Sequence, residues 1–75
     1  MVPKFTYNKL KGRIIEVLES NGRFIELMQW SRPTFQRKLN GESEWTQNEI
    51  WLACHFLNID LANVAIYFFD EIVQD

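Results

Sequence analysis

The stretch that decides the fold runs from Asn21 to Gly41 and reads NGRFIELMQWSRPTFQRKLNG. It has the pattern of two short helices joined by a tight turn. Ser31 is a suitable N-cap for the second helix, because its hydroxyl can accept a hydrogen bond from an N–H of the first turn. Pro33 is tolerated this early in a helix, and Gly41 stands where a helix closes on a left-handed residue. The pattern therefore predicts that the second helix runs from about Arg32 to Leu39.

This second helix has an apolar face and a polar face. Phe35 and Leu39 are four residues apart, so we expect both to face inward. The remaining side chains are expected to point away from the core or to lie on the flanks: Pro33, Thr34, Gln36, Arg37 and Asn40. A short helix with this polar face has the size and the side chains to enter the major groove of DNA.

The charges are segregated along the chain. The net charge is −2, with eight basic and ten acidic residues. All eight basic residues lie between Lys4 and Lys38, so residues 1–40 carry eight basic and three acidic side chains, a net of +5. Residues 41–75 carry seven acidic side chains and no basic one, a net of −7. A basic half can contact phosphates while the acidic half faces elsewhere, although charge in so small a domain can also be uneven by chance.

Length and composition predict one domain of 75 residues, with an N-terminal arm at 1–6, a helical core at 7–69 and a tail at 70–75. The single cysteine, Cys54, cannot form an internal disulfide, and its apolar neighbours predict a buried, reduced thiol. The N-terminus lacks the apolar run of a signal peptide, and no segment approaches the roughly 20 apolar residues of a membrane span. We therefore expect a cytoplasmic protein.

The apolar spacing predicts five helices, at residues 7–20, 22–28, 32–39, 46–58 and 61–69, and no strand. Thr46 and Glu49 form a T-x-x-E capping box at the start of the fourth helix, and Asp60 can cap the fifth. In the second helix we expect three side chains to face inward, Phe24, Leu27 and Met28. The apolar run at 64–69 covers more than one helical face, so it either packs back onto the first helix or forms a dimer interface.

Several short motifs in this order resemble one known group of domains. They are YNKLKGRI at 7–14, FQRKLNG at 35–41, TQNEI at 46–50 and YFF at 67–69. Together with five short helices, they resemble the lambda-repressor-like helix-turn-helix domains of the Cro and repressor type. They are similar in particular to a group of small proteins encoded by phages of Gram-positive bacteria. The resemblance implies an all-α, five-helix fold, with the helix-turn-helix at helices two and three, in the cytoplasm of a bacterial host.

Two positions depart from the pattern of that family. The family usually has a small residue in the middle of helix two, so that helix three can pack closely, whereas this chain has Ile25. The turn of the family usually carries glycine in a left-handed conformation, whereas this chain has Gln29, which would be strained there by about 1 kcal/mol. Trp30 follows in the turn and is expected to fill the gap between the two helices.

The resemblance also implies which residues meet DNA. In related domains the N-terminal part of helix three reaches base edges, and the matching positions here are Arg32, Pro33, Thr34 and Gln36, with Arg37 one turn further. Arginine can bond guanine in a bidentate manner, and glutamine can do the same with adenine. Asn40 matches a phosphate-contacting asparagine of the family. Further expected phosphate contacts are Lys38, Arg23, Asn21 and Lys9. For each of these residues the alternative is a solvated surface side chain.

These features favour a sequence-specific regulator of transcription that binds double-stranded DNA. A domain of this size makes few contacts, so we expect a homodimer on a palindrome with half-sites about 34 Å apart. The C-terminal aromatic helix is the candidate interface. The alternative is a phage antirepressor or co-regulator that binds another protein. An enzyme is disfavoured, because His55 and Cys54 point about 100° apart on a helix and the sequence offers no metal-ligand or nucleotide motif, so we expect no metal and no cofactor.

Overall fold

The structure is a computed structural model that describes residues 4–72. Most of this part of the chain is helical, as predicted. The elements in chain order are strand β1 (Phe5–Thr6), helices α1 (Asn8–Leu18), α2 (Asn21–Met28), α3 (Arg32–Leu39) and α4 (Gln47–Phe56), a 3₁₀ turn (Leu61–Asn63), helix α5 (Val64–Phe68) and strand β2 (Asp70–Glu71).

The two short strands tie the ends of the described chain together. They are antiparallel, with Phe5 opposite Glu71, and the N–H of Ile72 donates to the carbonyl of Lys4 at 2.8 Å. The prediction of no strand was therefore wrong, because two-residue strands are too short to show an alternating pattern. The same pairing joins residues 4–6 of the expected arm to residues 70–72 of the expected tail. The rest of the expected arm and tail, at 1–3 and 73–75, lies outside the described residues.

Helices α1 and α2 are separated by a sharp break. The first helix ends at Leu18 rather than at the expected Ser20, because Glu19 adopts a left-handed conformation with a φ of 67°. Ser20 instead caps α2, and its hydroxyl accepts a hydrogen bond from the backbone N–H of Arg23 at 3.1 Å. A serine at this position satisfies one of the N–H groups that a helix start leaves without a partner.

The buried side chains form one apolar cluster to which every α-helix contributes. In α2 the inward-facing residues are Phe24, Ile25 and Met28. The expectation that Leu27 faces inward was wrong, since 39% of its surface is exposed. Ile25 takes its place: either residue shares a helical face with Phe24 and Met28, so the packing of α2 against the rest of the domain decides between them.

Helix α4 is fixed at both ends. At its start the predicted capping box is present: the Thr46 hydroxyl accepts from the Glu49 N–H at 3.1 Å, and the Glu49 carboxylate accepts from the Thr46 N–H at 2.8 Å. Beyond its end, the Arg13 guanidinium donates to the carbonyls of Leu57 and Asn58, both at 2.9 Å. Arg13 therefore holds the end of α4 against α1.

The C-terminal helical segment is divided. The predicted continuous helix at 61–69 is a 3₁₀ turn followed by a five-residue α5. The predicted cap at its start is confirmed, because the Asp60 carboxylate accepts from the Ala62 N–H at 2.9 Å. Helix α5 packs against α1, and Phe68 is buried with its ring 5.0 Å from that of Trp45. Ile66 and Phe69 remain about half exposed, so the segment both packs onto the first helix and leaves apolar surface uncovered.

No single helix between residues 4 and 72 is long and apolar enough to cross a membrane. Helix α4 and the segment Leu61–Phe68 meet that length and composition only when taken together, and they are bent by 116°.

Candidate nucleic-acid interface

Helix α3 begins as its sequence predicts. The Ser31 hydroxyl accepts a hydrogen bond from the backbone N–H of Thr34 at 3.3 Å, and it lies 2.9 Å from the Thr34 hydroxyl. Pro33 lies in the first turn, where its missing N–H leaves no hydrogen bond unmade. An α-helix with its side chains is roughly 10–12 Å across, which fits the roughly 12 Å width of a B-DNA major groove.

The two faces of α3 differ as predicted. Phe35 and Leu39 are buried, and the ring of Phe35 lies 6.2 Å from that of Phe24 in α2. The side chains of the outer face are exposed: Arg32, Pro33, Gln36, Arg37 and Asn40. Thr34 is half-buried beside the cap. Positions 33, 36, 37 and 40 follow a helical spacing of three and four, so this group shares one face and forms a continuous polar surface. We call the five exposed residues Arg32, Pro33, Gln36, Arg37 and Asn40 the outer face of α3.

The turn between α2 and α3 adopts the left-handed conformation that the resemblance implies. Gln29 has a φ of 58°, although it is not glycine. The indole of Trp30 lies 5.9 Å from the ring of Phe24 and 5.2 Å from that of Trp45, so it fills the space beside the turn as expected. Ile25 is buried, and the domain accommodates its larger side chain within the apolar cluster.

The other predicted phosphate contacts lie on different elements. Asn21 and Arg23 are exposed in the first turn of α2, where the N–H groups of a helix start favour anions. Lys9 is exposed on α1 and lines a shallow cleft between α1 and α5, together with Tyr67. The helix that carries Lys9 packs against α2 and α5, so Lys9 lies on a different element from the outer face of α3.

The ammonium of Lys38, another predicted phosphate contact, is bonded within the domain. Its Nζ lies 2.8 Å from the Glu49 carboxylate and also donates to the backbone carbonyl of Glu44. Only 11% of the Lys38 side chain is exposed. Its own carbonyl accepts a hydrogen bond from the Trp45 indole at 3.1 Å. A phosphate would have to compete with these partners, so the structure argues against the expected phosphate contact of Lys38.

The Glu49 carboxylate is held in its ionised form. Partial burial by itself would raise its pKa, but the hydrogen bonds from the Lys38 ammonium and the Thr46 backbone outweigh that effect and lower the pKa below its ordinary value. Sequence reasoning found the capping role of Glu49 but missed its ion pair. Glu49 lies eleven positions after Lys38 in the sequence. The two residues meet only because the loop between α3 and α4 folds back, so no local sequence pattern links them.

Cys54 and His55 are adjacent in the sequence but lie in different environments. Cys54 is buried in the apolar cluster, and that burial raises the pKa of its thiol. His55 is exposed, and its ring stacks on that of Trp51 at 5.4 Å. Between residues 4 and 72, no three His, Cys, Asp or Glu side chains are placed to hold a metal ion.

A protein-family model matches nearly the whole chain. The family described as "Protein of unknown function (DUF739)" matches residues 3–71. No curated protein sequence matches the chain. The family match includes all the elements that carry the outer face of α3 and the exposed start of α2. The chain therefore belongs to the DUF739 family.

Proposed function

We propose that this protein is a sequence-specific regulator of transcription that binds double-stranded DNA, with α2 and α3 as a helix-turn-helix and α3 in the major groove. The observation that carries the proposal is the outer face of α3. It presents two arginines and two amide side chains to solvent, while the opposite face is buried. Arginine and amide side chains are the groups that read base edges most often.

The roles of the individual residues follow from their positions on α3. Arg32, Gln36 and Arg37 are exposed and long enough to reach base edges, while Pro33 and the Thr34 methyl group can contact a thymine methyl. The remaining predicted contacts are assigned to phosphates, which fix register and orientation: Asn40, Asn21, Arg23 and Lys9.

Charge supports the same orientation of the domain. Helix α3 carries three basic residues and no acidic one, whereas no basic residue follows Lys38 in the sequence. A domain that presents its basic half to DNA holds most of its carboxylates away from the phosphates. On this proposal the protein acts in the cytoplasm of a bacterial host cell, as a phage-type regulator of the Cro or repressor kind.

We propose that the protein binds DNA as a homodimer, since one eight-residue helix reads too few bases for tight specific binding. The C-terminal segment remains the candidate interface. Within it, Ile66 is 48% exposed and Phe69 is 50% exposed, whereas Phe68 belongs to the core. A symmetric contact through these two residues would cover apolar surface that the monomer leaves in water.

The second candidate function is that of an antirepressor or co-regulator that binds another protein. The observation that favours it is a pair of exposed apolar side chains on α4, where Trp51 is 52% exposed and Leu52 is 37% exposed. Exposed tryptophan is typical of protein interfaces. A protein of this kind has no need for the arginine and amide groups on the outer face of α3.

Reversing a charge on the outer face of α3 distinguishes the two proposed functions experimentally. DNA binding by purified protein is measured by fluorescence anisotropy with a labelled duplex at low salt, for the wild type and for Arg37→Glu. The matched control is Lys11→Glu, which makes the same charge change at an exposed position on α1. We expect a large loss of binding for Arg37→Glu only. Equal binding by all three proteins would reject DNA binding through α3 and favour the protein-binding function.

A further inference from the structure

The ammonium of Lys38 lies where four parts of the domain meet. It belongs to α3, bonds the Glu49 carboxylate of α4 at 2.8 Å, and donates to the Glu44 carbonyl in the connecting loop. It also lies 5.9 Å from the ring centroid of Trp30, in the turn before α3. One side chain therefore joins α3 to the segments on both sides of it.

This junction matters because few side chains of α3 are buried, although the Trp45 indole also donates to the Lys38 carbonyl at 3.1 Å. Only Phe35 and Leu39 of its eight residues are buried, and they lie one turn apart on the same face. Two apolar contacts along one line hold a helix against a core, but they resist rolling about that line weakly, because apolar contact is not directional. Directional bonds at a third position, Lys38, resist this rotation: its ammonium bonds the Glu49 carboxylate, and its carbonyl accepts from the Trp45 indole.

We propose that Lys38 and Glu49 are positioning residues, and that their ion pair fixes the direction in which the outer face of α3 points. The inference rests on the proposed function and assigns Lys38 no phosphate contact. Base-edge hydrogen bonds require fixed geometry, whereas contacts to the phosphate backbone tolerate small rotations. The ion pair therefore contributes to the preference for specific over unrelated DNA, and contributes little to general affinity.

Glu49 is suited to this task because it is itself fixed. Its carboxylate accepts from the Thr46 backbone N–H at 2.8 Å in the capping box while it pairs with Lys38. It is ionised at neutral pH, and the bonds from Lys38 and Thr46 lower its pKa, so that it stays ionised further into the acid range. Because this carboxylate is bonded to the start of α4, its ion pair holds α3 in a fixed position relative to α4. A glutamate that rotated freely at the surface would not fix that position.

Replacing Glu49 gives opposite results for the two roles that Lys38 could have. If Lys38 bonded a phosphate, Glu49→Gln would release its ammonium and remove a nearby negative charge, so the affinity for every duplex would rise. If Lys38 positions α3, the same change loosens the helix, so the affinity for the operator falls. Glutamine at this position can keep the capping box, so α4 is expected to remain folded.

The experiment measures binding of the wild type, Glu49→Gln, Lys38→Met and Arg37→Met to a selected operator and to an unrelated duplex over a range of salt concentrations. For Glu49→Gln and Lys38→Met we expect about tenfold weaker operator binding, the loss of roughly one charge-assisted bond. We expect binding to the unrelated duplex to stay within about twofold, with an unchanged salt slope. The control Arg37→Met removes a proposed base-edge contact, so it should weaken operator binding by roughly tenfold or more.

Tighter or unchanged operator binding by Glu49→Gln would overturn the inference, as would a reduced salt slope for Lys38→Met. A second measurement needs no DNA: amide hydrogen exchange of the two variants should become faster in α3 while α1 and α2 keep their protection. Unchanged exchange in α3 would reject the positioning role. If Arg37→Met binds DNA as the wild type does, the proposed function fails instead, and the exchange data still decide whether the pair fixes α3.

Discussion

At the scale of single residues, adjacent basic side chains of α3 have different environments. Arg37 is exposed on the outer face of α3, whereas Lys38 is directed to α4 and bonded to Glu49. The difference arises because consecutive residues of a helix point about 100° apart. A basic residue on a DNA-binding helix therefore acts on DNA or on the domain according to its rotation about the helix axis.

Arg37→Ala is expected to weaken binding to the operator by about 1–3 kcal/mol and to relax the preference at one base pair. The physical reason is the loss of a bidentate donor at a base edge. The measurement is a titration of the operator and of its single-base variants, with Lys11→Ala as the control on α1. Unchanged operator affinity would contradict the assignment of α3 as the reading helix.

The stability of the protein is expected to depend on the ionisation of Glu49. Its pKa in the folded state lies below the ordinary value of 4.5, so the stabilisation is complete above that pH and is lost as the pH falls through the lower, folded-state pKa. Thermal unfolding of the wild type and of Glu49→Gln over a pH series tests this. The difference in Tm should be largest near neutral pH and should shrink below about pH 4.5. A difference that is constant with pH would contradict it.

At the scale of elements, the sequence predicted helix starts better than helix ends. The starts of α3 and α4 agree with prediction because their caps are local: Ser31 and Thr46 bond groups three residues away. The end of α1 was not predicted, because it depends on Glu19 in a left-handed conformation. That conformation is typical of glycine and asparagine, so a glutamate gives no sequence signal for a helix end. The strand pairing between residues 5–6 and 70–71 joins opposite ends of the sequence, so no local pattern could reveal it.

The candidate site also has features that local sequence predicts and features that depend on tertiary packing. The exposed residues of the outer face of α3 were predicted from helical spacing alone, which needs only the position of Phe35 and Leu39. The engagement of Lys38 was not predicted, because it depends on where α4 lies relative to α3. The direction of Leu27 was missed for a similar reason, since the choice between it and Ile25 is made by tertiary packing.

The turn between α2 and α3 carries strain that a substitution should release. Gln29 has a φ of 58°, a conformation that is unfavourable for a residue with a Cβ atom. Gln29→Gly is therefore expected to raise the free energy of unfolding by about 1 kcal/mol, measured by urea denaturation. The control Gln29→Ala keeps the Cβ atom and should give no such gain. A loss of stability with glycine would show that the Gln29 side chain contributes contacts that outweigh the strain.

At the scale of the whole molecule, the charge segregation and the exposed apolar residues fit one arrangement on DNA. Residues 1–40 carry a net charge of +5 and include α3, whereas residues 41–75 carry −7 and include the half-exposed Ile66 and Phe69. The basic half is then free to meet phosphates, and the C-terminal segment is left to meet a second copy. Two copies on a palindrome would place their α3 helices about 34 Å apart, in successive major grooves.

The central claim is tested most directly by incubating the purified protein with a pool of random double-stranded DNA at roughly 100 mM salt, and sequencing what is retained. The control is Arg37→Glu, treated in parallel. The account predicts enrichment of a palindrome whose half-sites are centred about one helical turn apart, and loss of that enrichment in the control. Retention by the wild type that does not exceed the control, even at low salt, would contradict DNA recognition by α3.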